Sequence, residues 1–229
     1  IVRAKRKIKA AGIPFRVPTA HLLPDRLDAV LAVVYLIFNE GYGGRGDLAD
    51  EAIRLGRVLA ELMPDEPEAH ALLALMLLHD ARRDARVAEG TIVLLAEQDR
   101  SLWDATEIEE GRAALESALA LAGRGPYVLQ AAIAALHVDD PPDWNELAAL
   151  YGVLARRTGS PVVELNHAAA LAEAGDPEGA LALVETLDLE GYHYLHATRA
   201  ELLRRLDRGE EARAAYQRAL ELVPADAER

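Results

Sequence analysis

The sequence predicts an all-α protein, and three observations lead to this fold class. Of the 229 residues, 51% are hydrophobic but only 5% are aromatic. Ala and Leu supply most of the apolar residues, and these suit closely packed helices, whereas sheets favour aromatic and β-branched residues. In the last third of the chain, a pattern of small and large apolar residues also recurs after thirty-two residues. We therefore expect strand content near zero.

The recurring pattern has the layout of two successive helix hairpins. Its two copies pair as follows: Ala168, Leu171, Ala180, Val184 and Leu187 with Ala200, Leu203, Ala212, Tyr216 and Ala219. The small residues stand where two paired helices approach closely, and the spacing is near the roughly 34 residues of a tetratricopeptide repeat. The prediction is a tetratricopeptide-like array of antiparallel helix hairpins with about ten or eleven helices. Such arrays form binding surfaces and rarely perform chemistry themselves.

The N-terminal part is predicted to contain a basic helix, a linker and a buried helix. Residues 1–11 have a helical pattern that ends at Gly12, a residue typical of helix C-termini. Residues 13–18 form an extended linker, because each of its two prolines disfavours helix at the preceding residue. An apolar helix then covers about residues 24–40 and stops at Gly41.

The next part of the chain alternates helices with irregular segments. The loop at 43–46 contains three glycines and should be flexible, and Asp47 can cap the following helix, which ends near Pro64. A further helix is predicted for about residues 66–83. Residues 84–103 interrupt the periodicity with glycine, β-prone and polar residues, and we expect an irregular excursion there.

The helical pattern resumes after the excursion. Helices are predicted for about residues 104–122, 126–137 and 143–157. The dipeptides Ser160-Pro161 and Asp176-Pro177 indicate two further helix starts, each an oxygen cap followed by proline at the first helical position. Small residues at equivalent positions of the helix-hairpin pattern occur in both the N-terminal and the C-terminal parts of the array. They are Ala52, Ala74, Ala168, Ala180, Ala200 and Ala212.

Charge divides the chain into a short basic segment and an acidic body. The net charge is −13, yet residues 1–18 hold six basic residues and no acidic one. The prediction is a basic helix end with its linker at 1–18 and a helical-repeat domain at 19–229. An acidic body repels nucleic acid. The basic residues could touch DNA phosphates if their helix is complete, and the candidates for this DNA-proximal role are Arg3, Lys5, Arg6 and Lys9.

Composition also excludes several classes of protein. Cysteine is absent, which excludes disulfides and thiolate chemistry and suits a reducing cytosol. The longest apolar run covers the ten residues 29–38, whereas a membrane-spanning helix needs about 20. No signal peptide is visible, and no membrane partner is expected. Because the chain lacks an initiator Met and begins within a helical pattern, we expect it to be a piece of a longer protein.

Five segments in order resemble a known family. They are residues 38–42 (FNEGY), 72–82 (LLALMLLHDAR), 94–104 (LLAEQDRSLWD), 125–137 (GPYVLQAAIAALH) and 160–173 (SPVVELNHAAALAE). Together they resemble the C-terminal extension of extracytoplasmic-function sigma factors that carry a tetratricopeptide-like domain after their promoter-reading regions. Residues 2–18 look like the end of the sigma region-four recognition helix and the linker that follows it.

The resemblance implies a regulatory domain of a bacterial transcription factor. The expected partners are sigma regions two and four in the same chain and core RNA polymerase, with promoter DNA reached only through the full-length protein. The expected location is the cytoplasm. Sigma region two and most of region four are absent from residues 1–229, so this chain should not direct transcription by itself. No enzymatic activity and no cofactor are expected.

The segments that carry the resemblance also supply the candidate interaction residues. A structural role is the competing interpretation: Trp103 packs, Asp99 and Arg100 tether the excursion, and Asn39 caps the end of its helix. The alternative is a surface that contacts sigma regions, polymerase or an effector. The candidates are Phe38, Asn39, Glu40, Tyr42, His79, Asp80, Gln98, Asp99, Arg100, Trp103, Asn166 and His167.

Patterns for catalysis and metal binding are weak. His193 and His196 share one helix face, but no cysteine exists and no carboxylate joins them at a fixed helical spacing. The glycine-rich residues 41–46 lack the Lys-Ser/Thr of a phosphate-binding loop, and no Gly-x-Ser-x-Gly elbow is present. No catalytic, cofactor-binding or metal-binding residue is therefore predicted. The runner-up function is a free-standing tetratricopeptide-type scaffold that binds a peptide or partner protein.

The helix at 27–38 should be covered on most sides, because even its outward positions include Ala29, Val33 and Leu36. The repeats can cover one side, and the linker at 13–17 is expected to lie across another. A short linker with two prolines leaves little slack, so the array would be docked rigidly to region four. Replacing Phe15 and Val17 by Ser in the full-length factor should then weaken promoter-dependent transcription while the array stays folded.

Overall fold

The predicted helical array is present in the structure. A computed structural model describes residue 10 and residues 23–42, 46–88 and 91–223. Within these residues the chain forms ten α-helices and one pair of two-residue strands. The all-α prediction and the expected number of helices are therefore confirmed. No helix in the described part of the chain is long and apolar enough to cross a membrane.

The helices follow one another through short connections, except for the segment between α3 and α4. Their bounds are α1 Leu23–Tyr42, α2 Gly46–Leu62, α3 Pro67–Asp80, α4 Ala105–Ala120, α5 Pro126–His137, α6 Trp144–Thr158, α7 Pro161–Glu173, α8 Pro177–Val184, α9 His193–Arg205 and α10 Gly209–Leu222.

Each helix packs against the next helix along the chain, from α1 to α10. Alternate helices also touch: α1 contacts α3, α3 contacts α5, and α7 contacts α9. A chain of helix pairs whose first members also contact one another is typical of stacked helix hairpins. The small residues in the predicted common phase are all buried at these seams, with exposed fractions from 0 to 4%: Ala52, Ala74, Ala168, Ala180, Ala200 and Ala212. Their positions in the helix-hairpin pattern therefore did indicate where helices meet.

Helix α3 lies at the centre of the N-terminal half. All of residues 71–78 are buried, so this helix has no solvent-facing stripe. It packs against α1, α2, α4 and α5, which cover it on every side. A surface helix needs a polar face, and the unbroken apolar run of α3 is explained by this central position.

The connection between α3 and α4 is irregular, as predicted for residues 84–103. It contains a 3₁₀ turn at Arg83–Ala85, strands β1 (Val87–Ala88) and β2 (Thr91–Ile92), and two more 3₁₀ turns at Leu95–Glu97 and Arg100–Leu102. The strands pair antiparallel, with Val87 opposite Ile92. Helix α4 then begins at a cap formed by Asp104, whose carboxylate accepts hydrogen bonds from the backbone N–H groups of Thr106 and Glu107.

Several predicted helix ends differ from the observed ones. Helix α1 continues through Gly41 to Tyr42, and α2 already begins at Gly46, so Asp47 lies in its first turn instead of capping it. At the start of α8 the side chain of Asp176 accepts from the Gly179 N–H, as expected. Ser160 makes no such bond at the start of α7, so that part of the prediction was wrong. The fixed φ of proline suffices there to begin the helix.

Gly41 serves a purpose that the sequence pattern did not reveal. It was interpreted as the residue that stops the helix, but it lies where α1 and α2 come closest. A Cβ atom at this position would stand 2.2 Å from the backbone nitrogen of Ala49. Only glycine therefore allows this crossing.

Candidate functional site

Polar side chains from five segments of the chain meet inside the array. We define the polar centre as Tyr42 at the end of α1, His79 in α3, Arg82 after α3, Trp103 before α4, His137 at the end of α5 and Tyr151 in α6. The stacking of α3 against α5 and of α5 against α6 brings these distant parts of the chain together.

The guanidinium of Arg82 is the most unusual group of the polar centre. The residue is only 8% exposed, and no described carboxylate forms an ion pair with it. Its Nη2 lies 3.4 Å from Nδ1 of His79, and the nearby Tyr42 hydroxyl favours its charged form. Burial lowers the pKa of Arg82, because a charged group is less stable away from water. The buried cation is thus held by neutral acceptors.

Tyr42 links the end of α1 to the irregular connection. Its hydroxyl lies 3.4 Å from Nδ1 of His79, and its ring stacks on Phe38 at a centroid distance of 5.3 Å. The guanidinium carbon of Arg86 lies 3.4 Å from the centre of the Tyr42 ring, a cation–π contact. Nη1 of Arg86 also donates to the backbone carbonyl of Tyr42 at 3.4 Å. A second cation therefore lies beside Arg82.

Both histidines of the polar centre are held in the neutral form. Burial lowers the pKa of His79 to about 3, and the charges of Arg82 and Arg86 act in the same direction. Burial, assisted by Arg82, lowers the pKa of His137 to about 4. Because a guanidinium can only donate, Nδ1 of His79 must accept, and its ring proton resides on Nε2. Nε2 of His137 lies 3.3 Å from the Tyr151 hydroxyl.

A cavity of about 210 Å³ adjoins the two histidines. It lies among α3, α5, α6 and α7, and its polar wall consists of His79, His137, Tyr151, Gln130 and Asn166. Burial raises the pKa of Tyr151 to about 12, so its hydroxyl stays protonated and can donate a hydrogen bond. The remaining lining is apolar and comprises Leu75, Ile133, Ala134, Leu154 and Val163.

The irregular connection is tethered to the end of α5 through Arg100. Its Nη1 and Nη2 donate to the backbone carbonyls of Val138 and Asp139 at 3.4 and 3.1 Å. The same guanidinium lies over the ring of Trp103, with 4.6 Å between Cζ and the ring centroid. Asp99 accepts from the Ser101 N–H and hydroxyl at 2.9 and 2.7 Å. Arg100 therefore links the connection to the end of α5, whereas Asp99 bonds only within its own 3₁₀ turn and does not tether the connection.

The other predicted residues divide between core and surface. Phe38 is buried, while Asn39 and Glu40 are exposed. Asn39 does not cap the helix end, because α1 extends past it to Tyr42. Gln98 donates from Nε2 to the Val93 carbonyl at 3.2 Å and so holds the connection together internally.

Asp80 and His167 are near the polar centre or its cavity but have local partners. Asp80 accepts from Nε of Arg83 at 2.9 Å, and Arg83 also donates to Asp50 of α2 at 2.7 Å. The ring of His167 packs against Gly152, where a Cβ atom would stand 3.1 Å from its Nε2. Burial lowers the pKa of His167. Asn166, by contrast, faces the cavity directly.

The two histidines of the rejected metal site have separate roles. His196 is buried, and its Nε2 lies 2.9 Å from the Glu190 carbonyl, which fixes the turn before α9. The His193 ring packs against Tyr192 and Tyr194. In the described ranges no three His, Asp or Glu side chains are grouped as metal ligands. The basic residues Arg3, Lys5, Arg6 and Lys9 lie outside the described residues.

Sequence reasoning missed Arg82, Arg86, His137 and Tyr151 as members of the site. A signal was available for two of them, because Arg82 and His137 are the last residues of segments 72–82 and 125–137 that carry the family resemblance. Nothing in the local pattern distinguishes Arg86 or Tyr151 from surface and core residues. Their participation depends on contacts between elements far apart in sequence.

A second candidate site is the outer face of α1. We define the α1 face as Ala29, Val30, Val33 and Leu36, which follow one another at helical spacing. Leu36 is 65% exposed and Val33 is 56% exposed, while Leu31, Val34 and Phe38 on the opposite side are buried. The expectation that this helix is covered on most sides is therefore not met by the described residues. The linker at 13–17 lies outside them.

These features define a helical-repeat protein with one apolar outer face and one buried cationic centre. Residues 26–119, which contain much of both, match the model of a family of unknown function (DUF6596). The chain is also 47% identical over 237 residues to the uncharacterized protein R00370 of Rhizobium meliloti (strain 1021). That match covers 97% of this chain and 56% of the relative, so the chain spans little more than half the length of the relative.

Proposed function

We propose that this chain is the regulatory C-terminal domain of an alternative sigma factor, controlling promoter-specific transcription initiation through protein–protein contacts. Its partners in this proposal are sigma regions two and four of the same chain and core RNA polymerase, all in the bacterial cytoplasm. The resemblance of five sequence segments supports the proposal. The greater length of the relative R00370 leaves room for further regions in a protein of this kind.

The observation that carries the proposal is the α1 face. Its apolar side chains lie on the first helix of the array, next along the chain to the basic segment at 1–18. The face continues at Val30 into a groove of about 740 Å³, lined by Leu27, Leu59, Leu62, Met63 and Pro64. Contiguous apolar surface of this kind is typical of a docking surface. In our proposal the sigma regions that precede the array dock there.

Docking on the α1 face predicts the effect of two substitutions in the full-length factor. Replacing Val33 and Leu36 together by Ser removes apolar contacts worth about 1.5–3 kcal/mol each, so promoter-dependent transcription should fall at least tenfold. The array should keep its unfolding midpoint, because both side chains are mostly exposed within it. Transcription in vitro with purified core polymerase, together with thermal unfolding of the factor, provides the measurement.

The matched control is Leu220→Ser in α10. Leu220 is 74% exposed, so the same chemical change is made far along the array from the α1 face. This variant should transcribe like the wild type. Equal activity of the wild type, the double variant and the control would mean that the α1 face does not position sigma regions.

The complete reading frame separates the proposal from the runner-up. A regulatory sigma-factor domain requires sigma regions two and four encoded before Ile1. A coding sequence with an unrelated domain there, or with none, would favour the free-standing scaffold that binds a peptide or partner protein. The α1 face would then be its docking surface.

A further inference from the structure

The polar centre contains a buried positive charge without a counter-charge among the described residues. Arg82 is held by the hydroxyl of Tyr42 and the neutral ring of His79, and Arg86 adds a second cation beside them. The nearby carboxylate of Asp80 is already engaged by Arg83 at 2.9 Å. A buried charge without a counter-ion is unfavourable, so Arg82 lowers the stability of the fold. An unfavourable buried charge of this kind is typical of a ligand-binding site.

The same region contains polar atoms that have no partner. Buried nitrogens without a hydrogen bond include Nε of Arg82, Nε1 of Trp103 and Nδ1 of His137. The first two can only donate. Buried polar atoms without partners are rare in folded proteins. Of these three residues only His137 lines the adjoining cavity, where a ligand would supply a partner for its Nδ1, and Arg82 acts on the cavity from behind through its charge.

The adjoining cavity has the size and lining for such a ligand. Its volume of about 210 Å³ exceeds that of one water, which occupies about 30 Å³ in the liquid. The protonated hydroxyl of Tyr151, the amides of Gln130 and Asn166, and the rings of His79 and His137 provide hydrogen-bonding groups in its lining. The aliphatic residues of the lining suit a short carbon skeleton.

We propose that this cavity binds a small organic oxyanion, whose carboxylate or phosphate group is directed toward the histidines and stabilised by the positive charge of Arg82 behind them. The ligand supplies a partner for Nδ1 of His137 and the negative charge that the described residues of the polar centre lack. Because α3, α5, α6 and α7 all line the cavity, an occupant fixes three successive hairpins relative to one another. This inference goes beyond the proposed function and does not depend on it.

The test measures thermal unfolding of the 229-residue chain in succinate or inorganic phosphate at constant ionic strength, with chloride as the balancing anion. Binding to the folded state should raise the midpoint in a saturable way. The two arms distinguish a carboxylate from a phosphate ligand. No saturable rise with either anion would overturn the proposal.

Two variants assign the response to the site. Arg82→Met should raise the midpoint without added anion, because it removes an unpaired buried charge, and should abolish the response to anion. Asn166→Leu, on the cavity wall, keeps Arg82 and should weaken the anion affinity about tenfold. It therefore still tests the site if Arg82→Met does not fold.

The control is Arg57→Met, which removes a cation on α2 that pairs with Glu110 at 2.7 Å. It should retain the full response to anion. A response of equal size in all four proteins would be a general ion effect and would contradict the proposal. A lower midpoint of Arg82→Met in the absence of anion would show instead that Arg82 stabilises the empty fold.

Discussion

Replacing Gly41 by Ala is expected to lower the free energy of unfolding by about 3 kcal/mol or more, as overpacking between rigid elements does. The added methyl group would stand 2.2 Å from the backbone nitrogen of Ala49 and 2.9 Å from its Cα. Neither atom belongs to a flexible side chain that could rotate away, so α1 and α2 must separate. Both helices contribute to the same core, and separation would expose Phe38 and Ile53. Urea unfolding followed by circular dichroism measures the change.

Gly209→Ala is the matched control for this prediction. Gly209 begins α10, and a Cβ atom there would meet nothing within 4 Å. Alanine in a helix is favoured over glycine by about 0.5–1 kcal/mol, so this variant should be as stable as the wild type or slightly more so. Similar stabilities of the two alanine variants would show that α1 and α2 do not approach each other as described.

Acidification from pH 7 to pH 5 is expected to destabilise the protein through two buried histidines. In the unfolded chain a histidine has its ordinary pKa near 6.5, whereas the folded protein lowers the pKa of His79 to about 3 and of His137 to about 4. Below pH 6.5 these two histidines therefore bind protons in the unfolded state but not in the folded state. The contribution of the two histidines is full above pH 6.5 and decreases as the pH falls toward 4, by about 3–4 kcal/mol between pH 7 and pH 5. Burial raises the pKa of Glu107 to about 7, so the folded state binds that proton more readily than the unfolded state, which offsets part of the loss.

Substituting the two histidines tests this origin of the acid sensitivity. His79→Gln and His137→Gln should each reduce the loss of unfolding free energy between pH 7 and pH 5 by about 1.5–2 kcal/mol, and the double variant should show no loss. The comparison uses the difference between the two pH values, so a constant loss of packing in a variant does not affect it. An unchanged difference in the double variant would mean that other groups cause the acid sensitivity.

The helical array could be predicted because its signals are local. The apolar periodicity and the small residues, from Ala52 to Ala212, mark helix faces within segments of about two turns. Helix α5 was predicted at its observed bounds, Pro126–His137, because Pro126 and the break after His137 are both visible in the sequence. The irregular connection between α3 and α4 was also visible, as a loss of periodicity.

The candidate site could be predicted only in part. Residues 38–42, 72–82 and 94–104 were selected through the family resemblance, and the structure brings Tyr42, His79 and Trp103 from them to one place. The partner side chains Arg86 and Tyr151 carry no local signature, because a buried cation and a surface cation look the same in sequence. Asn39 was misjudged for a related reason: an asparagine near a helix end resembles a cap until the true end is known.

The sequence by itself determined the class of fold and which small residues lie where helices meet. Helix formation and amphipathicity depend on neighbours only a few residues away. Only the tertiary structure decided, for the residues it describes, that Gly41 is a crossing point, that the α1 face is exposed and that Arg82 is buried without a counter-charge. Each of these depends on which atoms of different helices approach one another. The charge of a guanidinium becomes unfavourable only when the packing of α3 and its neighbours removes water from it.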